Sequence, residues 1–155
     1  MNLLTAIDIS ATGIAAQRTR INIASMNLAN ADVTKTIDGG PYRAKSVVFE
    51  AVPLSTVDPD VSESIGSFQD QLDEQTQRLS VVKVAKIVND PGPPFKEVYD
   101  PDNPEADSRG MVKLPNVNVI EQMVDIMEAA RAYEANITAM NTAKSMALKS
   151  LDIAR

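Results

Sequence analysis

The residues that interrupt regular structure are confined to the middle of this chain. All nine prolines fall between Pro41 and Pro115, and of the six glycines only Gly13 lies outside the span Gly39–Gly110. Proline fixes φ and removes a backbone donor, and glycine in an element interior costs conformational entropy, so long elements form where both are scarce. Two such arms, residues 1–35 and 116–155, flank a turn-rich middle, 36–115. No internal repeat or low-complexity tract is present.

The amino-terminal arm has helical periodicity. Ile7, Ile14, Ile21 and Leu28 recur every seventh residue, with Leu4 and Ala11 in the adjoining column, which Arg18 and Ser25 then weaken. Ile9, Ala16 and Ile23 fall on a second face, and a helix with two apolar stripes needs more than one packing partner. If residues 3–31 are all helical, the helix is roughly 45 Å long. The carboxy-terminal arm has two columns: Met123, Ala130, Ile137 and Leu151, with Lys144 as the polar member, and Ile126, Tyr133, Met140, Ala147 and Ala154. This 3–4 spacing predicts left-handed coiled-coil packing over a length of roughly 55 Å. Acidic residues come early (Glu121, Asp125, Glu128) and basic ones late (Lys144, Lys149, Arg155), as the helix dipole favours. Asn116 or Asn118 is placed to cap the start. Alanine is frequent in both arms, which fits either helix propensity or close approach of helix axes.

The middle predicts short strands: Tyr42–Val52 after the turn Asp38-Gly39-Gly40-Pro41, Leu79–Val88 before Asn89-Asp90-Pro91-Gly92, then Phe95–Tyr99 and Met111–Leu114. Residues 54–78 carry Asp58, Asp60, Glu63, Asp70, Asp73 and Glu74 against the single base Arg78. Ile65, Phe68, Leu72 and Leu79 have helical spacing there, so a short amphipathic helix and an acidic loop both fit. The fold class expected is mainly α: long terminal helices packed as a coiled-coil domain, 1–35 pairing with 116–155, around a small β-rich middle.

Composition excludes much chemistry. The chain has no cysteine, histidine or tryptophan, so disulfides, thiolate nucleophiles, Cys-based zinc sites and the commonest general base are absent. Acidic residues number 21 against 15 basic, a net charge of −6, which repels phosphate and argues against nucleic acid as a partner. No window approaches the ~18–20 apolar residues of a membrane span, so no membrane insertion is expected. The amino terminus lacks the basic n-region of a secretory signal, and Asp8 interrupts its apolar stretch.

The acidic clusters Asp58/Asp60 and Asp70/Asp73/Glu74 are the raw material for glycoside chemistry, which needs two carboxylates about 5–9 Å apart across a cleft. Their polar, turn-rich setting points to solvated surface charge instead. The segment Asp100–Gly110 fails as an EF-hand loop, because Pro104 and Glu105 occupy the fifth and sixth positions. It reads as a turn whose Asp and Asn side chains satisfy local N–H groups. Gly39-Gly40 leads into a strand and not a helix, unlike a phosphate-binding loop, and no serine sits in a nucleophile elbow. No catalytic residue, cofactor site or metal site is expected, and the methionines Met123, Met127, Met140 and Met146 read as packing residues. Two apolar-seamed arms point to assembly with other helices.

The stretch Asn27-Leu28-Ala29-Asn30-Ala31-Asp32 resembles the amino-terminal signature of bacterial flagellar rod and hook proteins. Further segments narrow the resemblance to the FlgC-type proximal rod family: Pro41–Phe49; Tyr99-Asp100-Pro101 through Asn103-Pro104-Glu105-Ala106-Asp107; Gly110; Leu114-Pro115-Asn116-Val117-Asn118-Val119; Tyr133–Ile137; and Asn141–Met146. The resemblance implies a structural subunit whose terminal helices pack with each other and with neighbours, with the β-containing middle facing outward. Its partners would be copies of itself, other rod subunits and the flagellar type III export apparatus. Its place would be the periplasmic part of the basal body, reached without a cleaved signal. The assembly contacts expected are Ile7, Ile14, Ile21, Leu28, Met123, Ile126, Ala130, Tyr133, Ile137, Met140 and Leu151. Two other readings predict different things: an autonomous coiled-coil binding module, or another axial subunit. The acidic stretch at about 54–80 has no counterpart in the family pattern and reads as an insertion.

Overall fold

In the computed structural model, residues 3–37, 39–53, 79–90 and 95–153 are described. The expected helix or loop over 54–78, with all its carboxylates, lies outside them. The elements are α1 (Leu3–Ala29), β1 (Lys45–Pro53), β2 (Ser80–Asn89), β3 (Phe95–Tyr99), β4 (Met111–Pro115) and α2 (Val119–Ile153). Two long terminal helices around a small β middle are thus present, within a few residues of where periodicity and breakers put them. Of the two cap candidates Asn118 serves: its Oδ1 accepts from Ile120 N–H at 3.2 Å, and its carbonyl accepts from Gln122 N–H at 3.0 Å.

The strands form two separate pairs, β1 with β2 and β3 with β4. Asp90 N–H donates to the Ala44 carbonyl at 2.8 Å, so the start of β1 lies beside the end of β2. Strands β3 and β4 are antiparallel, with Phe95 opposite Pro115 and Val98 opposite Val112. Two-stranded pairs are marginal alone, and each has a side to cover; Val112 and Pro115 are accordingly buried.

The chain divides into two compact units, each built from noncontiguous pieces. The first comprises 1–16, 49–85 and 132–155. Its buried described residues are Ala16 and Val81, and Gly13 lies against Asn136: a Cβ on Gly13 would sit 3.1 Å from the Asn136 amide. The one glycine of the arms is therefore a point of close helix approach. The second unit comprises 17–48 and 86–131. Its core holds Ile23, Ala24, Asn27, Val112 and Ala129. There Arg20 meets Asp125 and Asn27 meets Gln122, so in this unit the helical segments run antiparallel.

Candidate assembly interface

Asn27 is 2% exposed and is the only fully buried large side chain among the described residues. An asparagine amide has two donor hydrogens and two acceptor lone pairs, and all four are used. Its Nδ2 donates to the Lys45 carbonyl at 2.7 Å and to Gln122 Oε1 at 2.9 Å. Its Oδ1 accepts from Tyr42 O–H and from Lys45 N–H, each at 2.9 Å. The side chain thus meets Lys45 as a neighbouring strand's peptide group would, and adds one bond to α2. Burial pushes the Tyr42 phenol above its ordinary pKa, so it remains a hydroxyl donor at neutral pH. Three residues on, Asn30 closes α1: its Nδ2 and its backbone N–H both reach the Met26 carbonyl. The motif asparagines therefore do two jobs, one turned into the core and one ending the helix, while Ala29 is exposed.

Arg20 donates to Asp125 at 2.6 Å and has Glu128 at 3.8 Å. These side chains are about one-third exposed for Arg20 and Asp125 and more for Glu128, so the pair is worth under about 1 kcal/mol. Gly13, Arg20 and Asn27 stand seven residues apart in sequence, and each makes a specific contact to α2 within its own unit. This column was not among the expected interface residues. Periodicity of hydrophobes cannot find it, because its members are a glycine, a cation and an amide.

The expected contacts fall into two groups. Ile7, Ile14, Ile21 and Leu28 are half-buried, and Ile23 and Ala16, on the second stripe, are the buried ones. On α2, Ile126, Ala130, Tyr133, Ile137 and Met140 are half-buried, while Met123 is 49% and Leu151 68% exposed. Beside the column Ile126, Tyr133, Met140 and Ala147, a further column, Gln122, Ala129, Asn136 and Ala143, is covered throughout. They lie one residue earlier than the apolar column 123/130/137/144/151. Ala129 is wholly buried, since a methyl side chain lets the backbone approach closely. The alanines divide accordingly: Ala16, Ala24 and Ala129 are buried, whereas Ala11, Ala15, Ala135 and Ala139 are exposed.

At the start of α2 an aliphatic stripe faces solvent. Ile120 (74% exposed), Met123, Val124 and Met127 occupy positions i, i+3, i+4 and i+7, the spacing by which one helix face meets another helix or a groove.

The motif residues from Asp100 to Gly110 build the β3–β4 connection. Asp100 N–H donates to the Gly110 carbonyl at 2.9 Å, and Gly110 N–H to the Asp107 carbonyl at 2.7 Å. Asn103 Oδ1 accepts from Glu105 N–H at 3.0 Å, and Asp107 Oδ1 from Ser108 N–H at 2.7 Å. Gly110 has φ +74°, and a Cβ there would sit 2.9 Å from the Tyr99 ring; conformation and space both call for glycine. Asp100, Pro101, Pro104, Asp107, Asn116 and Asn118 are exposed, and Asn103 is half-buried. Arg43 and Lys113 each stand just under 6 Å from the Phe95 ring centre. Alongside lies an open cavity of about 460 Å³ that mixes Lys35 and Lys113 with Glu105 and Asp107. Among the described residues no three acidic side chains are grouped to hold a metal ion. No described helix is long and apolar enough to cross a membrane.

A helical structural subunit is the class to which this arrangement corresponds, and residues 108–153 match the family described as "Flagellar basal body rod FlgEFG protein C-terminal". The chain is 44% identical to the flagellar basal-body rod protein FlgC of Salmonella typhimurium over 153 residues, 99% of this chain and 98% of that one. It is 41% identical to FlgC of Borreliella burgdorferi, covering 99% and 98% of the two chains, and 38% identical to FlgC of Bacillus subtilis, covering 100% of both. The chain belongs to the FlgC family of flagellar basal-body rod proteins.

Proposed function

We propose that this protein is a structural subunit of the proximal rod, exported by the flagellar type III apparatus without a cleaved signal and assembled in the periplasm. It carries torque through helix contacts with copies of itself and with other rod subunits, and it catalyses no reaction. The family relationship supports the rod as its place of action. The observation that carries the assembly mode is the exposed stripe Ile120, Met123, Val124 and Met127. Each large aliphatic buried against a neighbour contributes about 1.5–3 kcal/mol, and the described residues leave 43–74% of each member of the stripe uncovered. Within the covered face of α2, positions alternately four and three residues apart run from Gln122 to Ala147, and this series supports coiled-coil packing of α2 on α1. In this reading Ile7, Ile14, Ile21, Leu28, Ala130, Ile137 and Leu151 flank that seam and meet neighbouring subunits.

Met123→Asp tests the reading, because the side chain is exposed and the chain's own fold does not need it. Cells carrying it should export the subunit at the parental level, form no complete rods and fail to spread in soft agar. Parental swimming with normal basal bodies would refute the stripe as an interface.

A further inference from the structure

We propose that the hydrogen bond between Asn27 and Gln122 fixes the register in which α1 and α2 meet in the second unit, and that Asn27 imposes this register on β1 through Lys45. This inference stands on the geometry of that unit and does not depend on the assembly reading.

Aliphatic contacts select a register poorly. With Ile14, Ile21 and Leu28 spaced by seven, a slip by one heptad replaces one aliphatic by another. Asn27 does not tolerate such a slip. Its Nδ2 donates to Gln122 Oε1 at 2.9 Å in a site where the amide is 2% exposed. One turn along α2 the facing side chain would be Ile126, and one heptad along it would be Ala129. Neither offers an acceptor, so a slipped register leaves a buried donor unpaired. The other three bonds of Asn27 end on Lys45 and Tyr42 and hold the amide in one orientation, so it cannot turn to follow a displaced helix. Arg20 is a weaker constraint, being partly exposed, long and already within reach of both Asp125 and Glu128. A single buried polar side chain at a helix seam fixes register in this way in coiled coils.

The chain has no cysteine, so a pair introduced at Ser25 and Val124, both exposed, takes two nitroxide labels at defined places in the full-length protein. Pulsed electron paramagnetic resonance then reads the distance between the helices. A slip of one turn displaces one label along the axis by about 5 Å, and a slip of one heptad by about 10 Å. The parent should give one distance. Gln122→Leu should keep the helix content measured by circular dichroism and raise the proportion of a second, displaced distance about fivefold or more. Gln122→Glu keeps an acceptor for Asn27 and should retain the single distance. The proposal is overturned if Gln122→Leu gives the parental distance alone or loses its helices, if the leucine and glutamate variants behave alike, or if the parent itself shows no single distance.

Discussion

Helix α1 and the start of α2 use their side chains in opposite ways. Towards α2, α1 directs a glycine, an arginine and an asparagine, which meet Asn136, Asp125 with Glu128, and Gln122 respectively. Towards solvent, the start of α2 directs Ile120, Met123, Val124 and Met127. An ordinary surface helix does the reverse, with its apolar stripe inward. Contacts within the chain thus include selective ones at these three positions, and an apolar stripe at the start of α2 stands exposed. In the proposed reading, selective inner contacts hold one geometry and the apolar outer face provides the driving force for association.

The contrast can be broken from either side. The largest loss of stability is expected from Asn27→Ala, which strips partners from Lys45 N–H and C=O, Tyr42 O–H and Gln122 Oε1. Unmet buried groups cost about 1–3 kcal/mol each, partly relieved by water entering the gap. Urea denaturation followed by circular dichroism should show a loss of about 3 kcal/mol, and a loss below 1 would mean that the node contributes little. Next comes Gly13→Leu, which forces a side chain into the space held by Asn136; overpacking of this kind costs about 1–3 kcal/mol. Gly13→Ala is a finer probe, since helix propensity gains up to about 1 kcal/mol while the new Cβ crowds Asn136. Asn136 Nδ2 is held by the Ala132 carbonyl at 2.9 Å, so the two effects should nearly cancel in the melting temperature. Arg20→Ala should cost under about 1 kcal/mol, and the difference should shrink in 0.5 M salt. The smallest effect is expected on the outer face. Met127→Gln should change the chain's own stability by no more than about 0.5 kcal/mol while impairing rod assembly.

Breakers and periodicity made the elements legible. Phe95–Tyr99 is a strand at the expected limits, Met111–Leu114 extends by one residue, and both helices start and stop close to expectation. The turn reading of Asp100–Gly110 also matches the hydrogen bonds found there, because Asx turns and a positive-φ glycine are local properties. Which helix face is covered was not legible. Helix α1 has apolar residues on two stripes, so periodicity has no basis for choosing between Ile14 and Ala16 as the deeper one. On α2 small and polar residues are covered beside the apolar column of Ile126, Tyr133 and Met140, because close approach of helices rewards small residues such as Ala129 over large ones such as Met123. Asn27 was identified by family resemblance and not by physics. Its role needs Lys45 and Gln122, 18 and 95 residues away in sequence, and no local pattern announces such partners.

Oxidative footprinting of methionine tests this division of labour most directly. Met123 and Met127 are about half-exposed in the single chain, and thioether oxidation follows solvent access. Their oxidation rates should fall at least about tenfold when the subunit is probed in isolated basal bodies instead of as the purified chain. Equal rates in the two states would show that the stripe stays in water after assembly, and that the rod is held together by other surfaces.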